Sequence, residues 1–304
     1  MNRNNTAAPH RVDAGGEVFT LGIVGDLHTH WDEVDVWQFA GRPYDLLFFA
    51  GDLGGGLADS TLRVARSISR LRQPTLVMPG NNDTVDIEDL AAELALQDGV
   101  GRILAITADR EDQAGDVRLC GYSLHQLRAP GVCVDMIAAR PHSMGGASLS
   151  FPDYMRDTYA IDSLEDSAAR LRALVDAAEA EDLVFVAHNG PTGLGDEPHA
   201  IWGCDFKPGG GDWGDPDLAQ AIDHAHSIGK RVLAVVAGHM HLETRQGVER
   251  PWRVERNGVL YVNSARVPRI FAGDDDTYRH HLVMRISAGG VEIEEVLLAG
   301  SERG

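Results

Sequence analysis

Five short apolar runs in this chain end in the same way, and that repetition constrains the fold more than any other feature of the sequence. "GIVGDLH", "FFAGD", "VMPGNND", "FVAHNG" and "VVAGHMH" each close on a small residue followed by an acidic, amide or imidazole side chain. Runs of Val, Ile, Leu and Phe bounded by glycine read as strands buried on both faces. The intervals hold helical patterns, "HWDEVDVWQFA", "DSTLRVARSISRLR", "DIEDLAAELAL", "SLEDSAARLRALVDAAEA" and "PDLAQAIDHAHSIG". Strands alternating with helices predict an α/β fold.

Shorter strands are expected at "VRLCGY", "GVLYVNSA", "HLVMRIS" and "VEIEEVLLA", the last two joined by "AGG" as a hairpin. Thr29 and Asp32 have the spacing of a capping box for the first helix. Asp215 and Pro216 read as cap and first-turn proline of the last helix, with Gly229 closing it. No Ser- or Pro-rich linker interrupts the pattern, so a single domain over residues 17–304 is expected behind a polar, disordered tail over 1–16. Two stretches, at about 127–158 and 189–216, carry Gly, Pro, Asp and aromatic residues without periodicity and read as long loops.

Composition limits the partners. The formal charge of −19 repels polyanions, so no nucleic acid polymer is expected to bind. No apolar run approaches the roughly 18 residues needed to cross a bilayer, and the N-terminus lacks a signal-peptide pattern. A soluble, cytoplasmic protein is expected, with no membrane partner. Cys120, Cys133 and Cys204 show no CxxC spacing, which argues against a zinc knuckle or a disulfide framework.

The strand ends carry the chemistry. Asp26, His28, Asp52, Asn81, His188, His239 and His241 follow five strands whose carboxyl ends can share one sheet edge, where open α/β sheets bind ligands. A lone Asp-x-His or His-x-His is weak evidence; five such endings in chain order are strong. Asp, Asn and His together suit manganese, iron, zinc or magnesium better than soft ions.

In this order the endings resemble the calcineurin-like metallophosphoesterases, whose pattern runs D-x-H, G-D, G-N-H-[DE], H, G-H-x-H. Here it stands as "GDLH", "AGD", "GNND", "AHNG" and "GHMH", and the resemblance spans about residues 18 to 270. "HNGPTGLGDEPH", "GGDWGDPDLA" and "YVNSARVPRI" further resemble a cyanobacterial and plant group of unassigned substrate. The resemblance implies an α/β fold of four layers, two mixed sheets packed face to face with helices outside. It implies two divalent metal ions, manganese favoured. Asp26, His28 and His241 would hold one, Asn81, His188 and His239 the other, and Asp52 both. The implied activity is hydrolysis of a small phosphomonoester or phosphodiester by a hydroxide bridging the metals. The alternative is a binding or scaffold protein on the same fold with little catalysis.

One position departs from the family pattern. Asn82 stands where the family usually has His, and an amide has no proton to give to a leaving group. Asn82 is then expected to donate a hydrogen bond to phosphate, and Asp83 loses its usual partner. His30, His142 and His199 are candidates for a replacement acid, with His199 also a candidate substrate contact. Arg140 and Arg266 are candidate phosphate contacts, each weighed against an ordinary surface arginine.

Overall fold

A computed structural model describes residues 9–55, 58–83 and 117–300 of the chain. The helix expected at "DIEDLAAELAL" lies outside these residues.

Among the described residues, two seven-stranded mixed sheets pack face to face. The first runs in the order β1 (His10–Asp13), β6 (Ser123–Ala129), β7 (Val132–Ala138), β8 (Asp182–Val186), β9 (Arg231–Ala237), β11 (Val259–Asn263) and β10 (Arg253–Arg256). The second runs β12 (Ile270–Ala272), β13 (Thr277–Ser287), β2 (Phe19–Val24), β3 (Leu46–Phe49), β4 (Thr75–Val77) and β5 (Val117–Leu119), with β14 (Gly290–Ala299) also paired to β13. β2, β3 and β4 are mutually parallel, as are β8, β9 and β11.

Period-two alternation fills the layers from single strands. Phe19, Leu21 and Ile23 of β2, with Leu46 and Phe48 of β3, meet Val184 and Val186 of β8 and Val236 of β9 in the core between the sheets. The alternate residues point outward. Leu183 and Phe185 pack beneath α4 (Leu164–Ala177) and α5 (Pro216–Ser227), through Leu171, Val175, Leu218 and Ile222. Leu47 and Phe49 pack beneath α1 (Glu33–Ala40) and α2 (Ala58–Ile68), through Val36, Phe39 and Ile68. The result is four layers, helices–sheet–sheet–helices, consistent with the calcineurin-like fold.

Several local expectations are corrected. Residues 10–13 are a strand rather than tail, with His10 opposite His125 and only Val12 buried; an edge strand this polar has no hydrophobic signature. The stretch at 127–158 is mostly ordered structure. Pro130-Gly131, with Gly131 at φ 79°, turns β6 into β7 as a hairpin, and α3 (Pro152–Tyr159) follows. Asp32 and Asp35, not Thr29 and Asp32, form the capping box of α1. Pro216 opens α5, but the Asp215 side chain makes no cap bond because Arg140, Ser143 and Asn189 engage it. Among the described residues no helix is long and apolar enough to cross a membrane.

Candidate metal centre

The carboxyl ends of β2, β3 and β4 meet those of β8 and β9, one sheet edge against the other. Close approach there depends on glycine. A Cβ at Gly80 would lie 2.2 Å from Asp52 Oδ1, and one at Gly238 would lie 2.2 Å from Asp26 Oδ1. His28 (φ 42°), Asp52 (φ 49°) and His239 (φ 67°) take left-handed backbone conformations, which non-glycine residues hold at a cost of about 1–3 kcal/mol each. The strain sits on residues that carry the site.

Two groups of ligand atoms result, Asp26, His28 and His241 in one and Asp52, His188 and His239 in the other, with the atoms of each within 4.8 Å of one another. Asp52 faces both. Its Oδ2 lies 3.5 Å from His28 Nε2, and its Oδ1 lies 3.5 Å from His188 Nε2. Asn81 Oδ1 adds an oxygen 2.9 Å from His188 Nε2.

The donor chemistry fits cations. His188 Nδ1 lies 2.7 Å from the Ala50 carbonyl, which assigns its proton there and turns the Nε2 lone pair toward two oxygens. The His239 ring lies by the Met144 backbone, and its Nε2 is buried with no hydrogen-bond partner among the described residues. His28 and His241 face each other Nε2 to Nε2 at 3.0 Å, and His241 Nε2 is 3.8 Å from Asp26 Oδ2. Ligands about 2.1 Å from a shared ion stand roughly 3–3.5 Å apart, so these spacings suit a common cation. Pinning one ring nitrogen on a carbonyl while the other faces the ion is the usual support of a metal-binding histidine. Both groups therefore have the donors and spacing that could hold metal.

Protonation reports the same field. Burial lowers the pKa of His188, yet Asp52 and Asp26 outweigh it and draw it above the usual range. Burial and Asp52 push Asp26 up to about 6, while His188 and His28 hold Asp52 below the normal carboxylate value despite its own burial. Asp26, Asp52 and His188 are wholly buried, whereas the His241 side chain is 41% exposed, so solvent reaches the site from that side.

The remaining candidates divide. Asn82 donates from its backbone N–H to Asp52 Oδ1 and from its amide to Asp52 Oδ2, each at 2.7 Å. Asn82 thus grips Asp52 through both its backbone and its side chain. Asp83 accepts from Leu53, Gly54 and Gly80 backbone N–H groups, at 2.9, 3.3 and 2.9 Å, so it ties the Asp52 loop to the Asn81 turn. Burial and Asp52 push it up to about 7. Arg140 is no phosphate clamp: it is buried and paired with Asp215 and Asp217, each at 2.9 Å. His30 is half-buried, its carbonyl held by Arg269 at 3.1 Å. His199 lies exposed on the loop between β8 and α5. His142 is fully buried, its Nδ1 3.0 Å from the Gly80 carbonyl, which fits it to hold the Asn81 turn and not to reach a leaving group. Arg266 sits over the Phe271 ring at 4.9 Å and lines a cavity of about 400 Å³ with Leu242 and Glu243, the residues that follow His241.

Sequence reading missed the supports. Asn189, next to His188, donates to the Trp213 carbonyl and Asp215 at 3.0 and 3.1 Å. Asn263 ends β11 and donates to the Ile201 and Met240 carbonyls at 3.1 and 2.7 Å. The "HNG" and "VNSA" contexts held the only signal, a polar residue directly after a buried strand.

No family model matches the sequence, and neither does any curated protein. Solved structures do. One crystal structure, 12% identical, aligns over 93% of this chain and 100% of its own with a TM-score of 0.54. TT1561 of Thermus thermophilus, 11% identical, aligns over 91% of this chain and 98% of its own with a TM-score of 0.53. The architecture is shared. PhoD also aligns, at 10% identity over 98% of this chain and 72% of its own, with a TM-score of 0.49.

Proposed function

We propose that this chain is a phosphoric ester hydrolase that acts on small phosphoesters with two divalent cations, manganese favoured. The observation that carries the reading is Asp52 between two ligand groups, one oxygen toward each. Bound there, such ions supply Lewis acidity to phosphoryl oxygens and acidify water.

The chain's own residues do the rest. Asn82 fixes the rotamer of Asp52 by holding both oxygens, and Asp83 fixes the two loops that present Asp52 and Asn81. The Ala50 carbonyl sets the His188 tautomer so that its Nε2 faces inward. Asn82 has no proton for the leaving oxygen, which favours esters whose leaving group departs as a stable anion. The strongly acidic chain supports a small substrate over a polymeric one.

The test is metal analysis with hydrolysis of p-nitrophenyl phosphate and bis-p-nitrophenyl phosphate in manganese. Two ions per chain and turnover that chelation abolishes are expected. Asp52→Asn should lower turnover by about 10³-fold or more and reduce the metal content. Near wild-type turnover in metal-replete Asp52→Asn refutes the role of Asp52. Two bound ions without turnover on either ester would instead identify a binding module.

A further inference from the structure

The chain contains only two lysines among its 27 Lys and Arg residues, and their placement differs sharply. Lys230 is spent on structure, its Nζ donating to the Ala178 and Ala180 carbonyls at 2.6 and 2.7 Å. Lys207 is exposed, and its Nζ stands 5.1 Å from the ring centre of Trp213. Trp213 in turn meets Phe206 edge to face at 5.4 Å, and the Arg245 guanidinium lies 5.7 Å over the Phe206 ring. Two cations over two adjoining rings make a distinct patch on a chain of net charge −19.

This patch adjoins the metal centre. The Met144 carbonyl accepts the Trp213 indole N–H at 2.8 Å, and the Met144 backbone lies by the His239 ring. The Trp213 carbonyl accepts from Asn189, the neighbour of His188. Arg245 follows His241 by four residues, and its backbone N–H donates to Asp205 at 2.6 Å, which joins the two loops that present the patch. The Trp213 ring is pre-set. Gly145 and Gly146 lie against Trp213, where a Cβ would come within 2.4 and 3.3 Å of the ring, and the Trp213 backbone N–H is held by Trp202 at 3.0 Å. Yet the surface is not closed: Met144 is 50% and Phe206 40% exposed. A fixed ring and its neighbour beside cations on long stems suit a planar anionic ligand, because less order must be imposed when it binds.

We infer that Phe206, Trp213, Lys207 and Arg245 receive the organic half of the substrate, an aryl group carrying a further negative charge. The inference rests on the phosphoesterase reading and narrows it. It also agrees with the chemistry of Asn82, since an aryl oxide needs less help from an acid than an alkoxide does.

The test uses phosphonates, whose carbon–phosphorus bond is not hydrolysed, in calorimetric titrations of the manganese-loaded full chain. Phenylphosphonate is expected to bind about tenfold more tightly than methylphosphonate. 4-Carboxyphenylphosphonate should gain a further few-fold over phenylphosphonate. Phe206→Ala should close the phenyl–methyl gap, and Lys207→Ala should remove the carboxylate gain. Equal affinity of the phenyl and methyl probes overturns the inference, as does a gap that Phe206→Ala leaves intact or a carboxylate gain that survives Lys207→Ala. Methylphosphonate binding without discrimination strikes only the platform. If two manganese ions bind and neither phosphonate nor inorganic phosphate does, the phosphoesterase reading falls and takes the platform with it.

Discussion

Asn82 grips both oxygens of Asp52, and that one residue sets what the site lacks as well as what it holds in place. A histidine at this position keeps the backbone hydrogen bond to Asp52 and adds a ring N–H that can protonate a leaving oxygen. General acid catalysis is typically worth about 10²–10⁴-fold, and it matters most where the leaving group is a poor one. Asn82→His is therefore expected to raise kcat/KM for phenyl phosphate by about tenfold or more while changing p-nitrophenyl phosphate little. Rates on a series of substituted phenyl phosphates check this, because the variant's dependence on leaving-group pKa should flatten. A uniform change across the series would show that Asn82 acts only through Asp52.

At the scale of elements, the strands that deliver ligands were legible from sequence, as were β5, β11 and the β13–β14 hairpin. β2, β3, β4, β8 and β9 are buried on both faces, so each is an unbroken apolar run, and the ligand follows where the run stops. β7 is nearly as buried, but it carries Asp135, whose carboxylate accepts from Arg128, Glu179 and Ala180; those partners come from other elements, and so the run read as a loop. The same holds for Arg140, whose partner Asp217 lies 77 positions away in sequence. The aromatic patch was illegible because Phe206, Trp213 and Arg245 share no period. The glycines at the strand ends were visible, though not the reason for them. Gly80→Ala places a methyl group 2.2 Å from Asp52 Oδ1 and 2.7 Å from His188 Cε1. Loss of bound metal and a destabilisation of about 1–3 kcal/mol are expected, by metal analysis and urea unfolding. Gly15→Ala, with nothing within 4 Å, is the control. Unchanged metal content in Gly80→Ala would mean the turn has room to relax.

For the whole molecule, the ligand set divides between layers. Asp26, His28, Asp52 and Asn81 follow strands of one sheet, and His188, His239 and His241 follow strands of the other. Ions held by both sets would fasten the two sheets at their carboxyl edge, so binding would add directly to the stability of the sandwich. At a thousandfold excess over Kd one site contributes about 4 kcal/mol, on the order of 5–10 °C in Tm for a domain of this size. Manganese should therefore raise Tm by at least this much, and excess chelator should reverse it. An acidic chain also attracts divalent ions without any site, through its surface charge, and that weak effect is screened by salt. Ligand variants separate the two. Asp26→Asn and His188→Ala remove donors from opposite sheets, and each should lose most of the manganese-induced rise at about 0.15 M salt. The double variant should lose little more, because an ion pair fastening two sheets fails when either sheet lets go. A rise that persists in both variants would assign the stabilisation to the surface and leave the sheets joined by their apolar core alone.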